Sequence, residues 1–219
     1  MKTGTSSSFV ADCVACPRLA NHLKTVRQAY PSYHAAPVAP FGPDDARLLI
    51  VGLAPGLHGA NATGRPFTGD YAGILLYQTL FDHGFANQPT PTHADATRDE
   101  RLQLRDCRIS NAVKCLPPAN KPTTAEIRQC NGYLAAEISD LQPQVILSLG
   151  HIAHRAVLQA LQRKPSTLSF AHGAWHDLGA QGRLVNSYHC SRYNTQTRRL
   201  TPAMFSAVIA DIRQFLGPC

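Results

Sequence analysis

Charged residues are scarce in this chain of 219: they make up 16% of it, too few for a coiled coil, while the 44% that are hydrophobic exclude disorder. No apolar run approaches the roughly 18 residues that a membrane span needs, so no membrane partner is expected. The stretch Met1 to Ser8 is polar and lacks the apolar core of a signal peptide, and the chain has no internal repeat or low-complexity tract. A complete set of intrachain disulfides is excluded by count, because there are seven cysteines. These absences point to a reducing cytoplasm, where clustered cysteines are more often metal ligands or catalytic groups than disulfides. What charge there is leans one way, 21 Lys and Arg against 14 Asp and Glu, a net of +7. Two meanings are open: a basic face for a polyanion, or a margin of solubility.

Apolar runs alternate with helical patterns, the signature of one α/β domain over 1–219 with an N-terminal arm over about 1–40. Leu48 to Val51, Ile109 to Val113, Val145 to Leu149 and Leu184 to Tyr188 read as strands, the first three stopped by Gly52, Pro117-Pro118 and Gly150. The expected architecture is a three-layer α/β/α sandwich around a four-stranded parallel sheet. Thr123 and Glu126 make a capping box that opens a helix to about Leu141, with Ile127, Leu134 and Ile138 turned inward. A helix after Gly150 carries Ile152, Ala156, Val157 and Leu161. A last one starts with Pro202 in its first turn and presents Phe205, Val208, Ile209, Ile212 and Phe215. A helix over 71 to 84 precedes an exposed loop from Gln88 to Asp99.

Cys13-Val14-Ala15-Cys16-Pro17 is a closely spaced pair, and Cys115 and Cys130 stand 15 positions apart much later. With Cys115 at a strand end and Cys130 two turns into the next helix, these two can face each other, and four thiolates would pin the arm to the body. A structural zinc, an iron-sulfur cluster and simple burial all fit such a set, and spacing alone favours zinc. Of the others, Cys107 reads as a core thiol, Cys219 as a terminal one, and Cys190 has no paired spacing.

Gly52-Leu53-Ala54-Pro55-Gly56 follows the first strand, and Gly64-Arg65-Pro66-Phe67-Thr68-Gly69-Asp70 comes soon after. Open α/β sheets hold ligands at the carboxyl ends of their strands, although such a composition also makes a plain long connection. With Asn111-Ala112-Val113-Lys114-Cys115-Leu116-Pro117-Pro118 and His189-Cys190-Ser191, these segments together resemble the uracil-DNA glycosylase superfamily. More narrowly they resemble its iron-sulfur family 5, or type B, of bacteria and archaea, from Cys13 to about Thr201.

The resemblance implies hydrolysis of the N-glycosidic bond of uracil, and of bases such as hypoxanthine, in DNA by base flipping. The product would be an abasic site, with no lyase step, and the enzyme a monomer of the bacterial or archaeal cytoplasm. It moves Cys13, Cys16, Cys115 and Cys130 from zinc to a 4Fe-4S cluster. Phe67 falls on the family's stacking aromatic, Asn111 on the residue that reads the uracil edge, and His189 on the donor to the base carbonyl as charge builds there. Gly52, Ala54, Pro55 and Gly56 fall on the loop around the base. Ala54 stands where better-known members place a water-positioning side chain, so that role, or stabilisation of the sugar cation, passes to Asp70; a helix cap explains Asp70 equally well.

Ser191, Arg192, Asn194, Arg198 and Arg199 fall in a region that in the family meets the minor groove, where a wedge side chain fills the gap left by the base. Lys114, Pro117, Pro118 and Lys121 read as a second phosphate-gripping edge. From the residues alone another class stays open, a metal-stapled nucleic-acid binder or redox sensor without glycosylase activity. The joint presence of Phe67, Asn111 and His189 counts against it.

Overall fold

The computed structural model describes residues 9–89 and 101–218, so Met1 to Ser8, the expected loop from residue 90 to Asp99, and Cys219 lie outside the described residues. Among the described residues five strands, β1 (Leu48–Gly52), β2 (Cys107–Asn111), β3 (Val145–Leu149), β4 (Trp175–Asp177) and β5 (Arg183–Ser187), form one sheet in the order β2-β1-β3-β5-β4. β1 pairs parallel with β2 and β3, and β3 parallel with β5, which are the four strands expected from the apolar runs. The sheet is nevertheless mixed, because β4 adds an antiparallel edge, Trp175 opposite Val185 and Asp177 opposite Arg183. Three residues, Trp-His-Asp, carry no apolar run, so this short, half-exposed edge strand has no periodic signal to betray it.

Alternation along the strands builds two cores. Leu48, Ile50, Val145, Leu147 and Val185 face α3 (Tyr71–Asp82) and α7 (Pro202–Leu216), where Leu76, Leu80, Phe205 and Ile209 meet them. Leu49, Val51, Ile146 and Leu184 face α4 (Thr124–Leu141) and α5 (His151–Ala160), through Leu134, Ile138, Ala153 and Val157. Each such side chain removed from water contributes about 1.5–3 kcal/mol. The three layers expected from the sequence are therefore present.

Local signals set the helix ends. The Thr123–Glu126 capping box forms, with Thr123 Oγ1 accepting from Glu126 N at 3.2 Å and Glu126 Oε2 from Thr123 N at 2.7 Å. Pro202 opens α7 behind a Thr201 cap. Two helix positions differ from expectation. Ile152 is 44% exposed because it sits in the first turn of α5, at the edge of the face that buries Ala153, Ala156 and Val157. Phe215 is 50% exposed and lies against the Trp175 ring of the edge strand at 5.4 Å.

The N-terminal arm packs on the body through α1 (Pro17–Ala29). Leu19, Leu23 and Val26 meet Val113, Cys115 and Leu116. Arg18 clamps both carboxylate oxygens of Glu126 at 2.7 Å, and Val38 N donates to Lys114 O at 2.8 Å.

Candidate active site

Because the four main strands are parallel, Gly52, Asn111 and Ser187 end at the same edge of the sheet. There a cavity of about 480 Å³ opens, within the range of small-molecule pockets. Phe67, Asn111, Asp70 and His189 all line it, although they come from three separate stretches of chain.

Close packing fixes each of them. A Cβ on Gly52 would lie 2.5 Å from Asn111 Oδ1 and 2.7 Å from the Phe67 ring, so that glycine lets both side chains approach the end of β1. Phe67 is 6% exposed and sits at φ 54, a left-handed conformation costly for an aromatic residue. What holds it there is its own loop: Tyr77 donates to Pro66 O at 2.7 Å, and Gly73 clears the Phe67 carbonyl, which a Cβ would meet at 1.7 Å. Asp70 accepts from Gly73 N at 2.9 Å and caps α3, yet the same carboxylate faces Gly56 and Gly59 in the cavity wall. Burial pushes its carboxyl above the usual range.

His189 lies with its ring centroid 5.8 Å from that of Phe67 and the planes 30° apart. Burial pulls its imidazole down to about 4, so at neutral pH it is uncharged, a donor at one nitrogen and an acceptor at the other. Asn194 Nδ2 donates to His189 O at 2.8 Å and anchors its backbone. Across the cavity Asn111, 3% exposed, has an Oδ1 that is buried without a hydrogen-bond partner in the protein. An orphan buried acceptor costs about 1–3 kcal/mol, and this one belongs to a residue that lines the cavity.

A second, smaller pocket is lined by Cys13, Cys16, Cys115 and Cys130 together with Phe9, Val10, Leu19, Val113 and Tyr133. Burial and the neighbouring thiols raise Cys115 to about 12, and burial raises Cys16 and Cys130. The backbone N–H of Lys114 donates to Cys130 Sγ at 3.3 Å. Among the described residues no three Cys, His or carboxylate side chains gather closely enough to hold a single metal ion. Cys107 and Cys190 are fully buried elsewhere in the core.

Residues 39–213 match the model of the uracil DNA glycosylase superfamily. Three curated relatives named type-5 uracil-DNA glycosylase are similar over almost their whole length. That of Thermus thermophilus is 40% identical, covering 94% of each chain. That of Mycobacterium leprae is 40% identical, covering 95% of this chain and 93% of the relative, and that of Pyrobaculum aerophilum 39%, covering 91% and 87%. The chain belongs to the uracil-DNA glycosylase superfamily.

Within that superfamily frame, an enzyme class acting on N-glycosyl bonds, the remaining expected positions divide. Ala54 and Gly56 line the cavity, whereas Gly52 serves by leaving room for Asn111 and Phe67, and Pro55 is buried outside the lining. Arg192, Arg198 and Arg199 are exposed beside the cavity-lining Ser191, on or just after α6 (Arg192–Gln196), and the Arg199 guanidinium stacks 4.6 Å from the Tyr188 ring centroid. The second edge needs correction. Lys114 is 2% exposed and paired with Glu137, and Pro117 is buried, so neither can grip a phosphate; the exposed part of that edge is Lys121, with Pro118 half-buried.

Residues that the motifs did not single out also surround the cavity, notably His58, Tyr71 and Asn120. Tyr71 directly follows the Asp70 cap and His58 lies in the loop between the two Gly/Pro motifs, so proximity to those motifs was the available signal. Tyr193, 70% exposed on α6, is a large aromatic projecting into solvent next to the rim residue Arg192.

Proposed function

We propose that this chain removes uracil from DNA by hydrolysing its N-glycosidic bond after the nucleotide is extruded into the cavity, leaving an abasic site without a lyase step. The observation that carries the reading is the unpartnered Asn111 Oδ1, buried against Gly52 near the Phe67 ring, in a residue that lines one cavity with a neutral His189. A flipped uracil offers its N3–H to that oxygen and an adjacent carbonyl to the Asn111 amide N–H. Cytosine presents an acceptor at N3 and would face the oxygen lone pair to lone pair. Phe67 supports the ring by stacking.

As the C1′–N bond breaks, its electron pair leaves with the base, and a neutral His189 stabilises the resulting anion by donating a hydrogen bond rather than a full proton. Water then adds to C1′ of the sugar cation and loses a proton. Ala54 has no group to activate that water, so the Asp70 carboxylate, in the wall of the same cavity, is the group that orients it or stabilises the cation. Hypoxanthine shares the N–H-next-to-carbonyl edge and belongs to the same proposed substrate class. Tyr193 is the side chain placed to fill the gap left in the stack, with Arg192, Arg198, Arg199 and Lys121 on the phosphates.

Cys13, Cys16, Cys115 and Cys130 would hold a 4Fe-4S cluster. An all-thiol set in an apolar pocket with an N–H donated to one sulfur fits such a group. When bound it supplies a structural tie between the arm and the body, and no step of the hydrolysis passes through it. The proposed setting is a monomer in the cytoplasm; among the described residues no helix is long and apolar enough to cross a membrane.

Incubating the purified protein with a duplex carrying one uracil should yield alkali-labile abasic sites and free uracil. An intact strand and no released base from uracil, hypoxanthine or xanthine would sink the proposal.

A further inference from the structure

A lysine and a glutamate, both buried, sit directly behind the proposed base-reading residue. Lys114 Nζ lies 2.7 Å from Glu137 Oε1, with side chains 2% and 3% exposed. It also donates to Ser110 Oγ at 2.5 Å and to the backbone carbonyl of Asn111 at 2.9 Å, and Ser110 Oγ in turn donates to Glu137 Oε2 at 2.5 Å. Two of the ammonium's three protons are donated, one to the Ser110 hydroxyl near the end of β2 and one to the main chain of Asn111, whose residue lines the cavity. The α4 carboxylate lies against the charge as an ion pair.

A buried ion pair of this kind is a weak source of stability, because apolar residues of similar size often replace it without loss. Its other effect is geometric. The segment 111–114 leaves β2 with Ala112 N and Val113 N donating to Gly52 O and Leu53 O at 2.9 Å, so the two loops that form the cavity floor are already joined. Lys114 then reaches back and ties the Asn111 carbonyl to α4. With its backbone clamped there and Gly52 leaving room beside it, the Asn111 side chain is kept in the cavity wall with its Oδ1 unbonded by the protein.

We infer that Lys114, Glu137 and Ser110 form a positioning unit that holds Asn111 in the orientation needed to read the base. The inference rests on the reading of Asn111 given above. Since a misplacement of about 1 Å can lower a rate about a hundredfold, loss of this unit should be felt in turnover, with little change in the affinity for uracil-free DNA.

The test is single-turnover excision from a uracil duplex by Lys114→Met/Glu137→Leu, which removes both charges together and leaves neither one buried alone. Iron content, absorbance and melting temperature are measured alongside. The expected result is a folded protein of wild-type iron content, with excision slowed between about tenfold and a hundredfold and unchanged affinity for uracil-free duplex. In an Asn111→Ala background the same two substitutions should cost nothing further. A wild-type rate in the folded pair variant overturns the inference, and so does an equal extra loss in the Asn111→Ala background, which would mean that the pair acts elsewhere. A wild-type rate in Asn111→Ala alone overturns the reading of Asn111 itself, a different outcome. If the pair variant does not fold, Glu137→Gln replaces it: the shape and one acceptor stay while the charge and the second acceptor go, so in a folded protein a severalfold slower excision supports the positioning role and a wild-type rate overturns it.

Discussion

The proposed base cavity and the cysteine pocket lie on either side of one short stretch, Asn111 to Cys115, and they are built on opposite plans. In the cavity, polar groups are placed with their bonding capacity open, as at Asn111 Oδ1. In the pocket, four thiols line a space walled by apolar side chains, and burial makes each of Cys16, Cys115 and Cys130 harder to ionise. A site that must bind and release a base needs acceptors and donors that are empty between turnovers. A site that ties two parts of the chain together needs a group that stays. Lys114 touches both, its side chain behind Asn111 and its backbone N–H on Cys130 Sγ.

The contrast breaks most visibly at the thiols. Cys130→Ser should abolish the iron content and brown colour of the purified protein and loosen the arm, which then depends on Arg18–Glu126 and the small apolar cluster around Leu19. Cys107→Ser, in the sheet core away from the pocket, should keep the colour. Iron assay and visible absorbance decide it: a colourless, zinc-loaded wild type refutes the cluster, and a brown Cys130→Ser protein removes that residue from the ligands.

In the cavity the largest effect is expected at His189. His189→Gln should slow excision by about a hundred- to a thousandfold, the usual range for one preorganised donor, while leaving binding of uracil-free duplex near wild type. The same substitution separates chemistry from stability. With the imidazole held down to about 4 in the folded state against about 6.5 when unfolded, the folded protein declines a proton that the unfolded chain accepts. Its contribution is undiminished above pH 6.5 and is lost as pH falls from 6.5 toward 4, by about 3 kcal/mol in all. Denaturant titrations of wild type and His189→Gln should therefore converge by that amount over this window. Parallel curves would place His189 in contact with water rather than sealed in the cavity wall.

Much of this was legible in the residues, for identifiable reasons. The parallel strands announce themselves because buried strands are continuous apolar runs, and Phe67, Asn111 and His189 stand in loop motifs that the family resemblance picked out and that the topology brings to one cavity. What stayed hidden depends on three-dimensional company. The edge strand Trp175–Asp177 is recruited by its pairing with β5 and has no pattern of its own. Lys114 reads as a surface cation because lysine almost always is one; only the approach of Glu137 from α4, 23 positions further on, makes its burial tolerable. The two descriptions of Asp70 turned out not to compete, since one carboxylate caps α3 and walls the cavity.

The smallest expected effect lies outside both pockets. Arg199 is exposed, and its guanidinium is laid over the Tyr188 ring, which limits the freedom it would lose on meeting a phosphate. Arg199→Ala should weaken binding to uracil-containing and uracil-free duplexes alike, and should reduce the slope of log affinity against log salt by about 1, the share of one phosphate contact. Excision at saturating DNA should stay within about twofold of wild type, because uniform binding that is lost from ground and transition state alike does not change turnover. An unchanged salt slope with slower excision would reverse the assignment: the arginine would then act on the extruded nucleotide, and the boundary of the cavity would have to be drawn outward to include it.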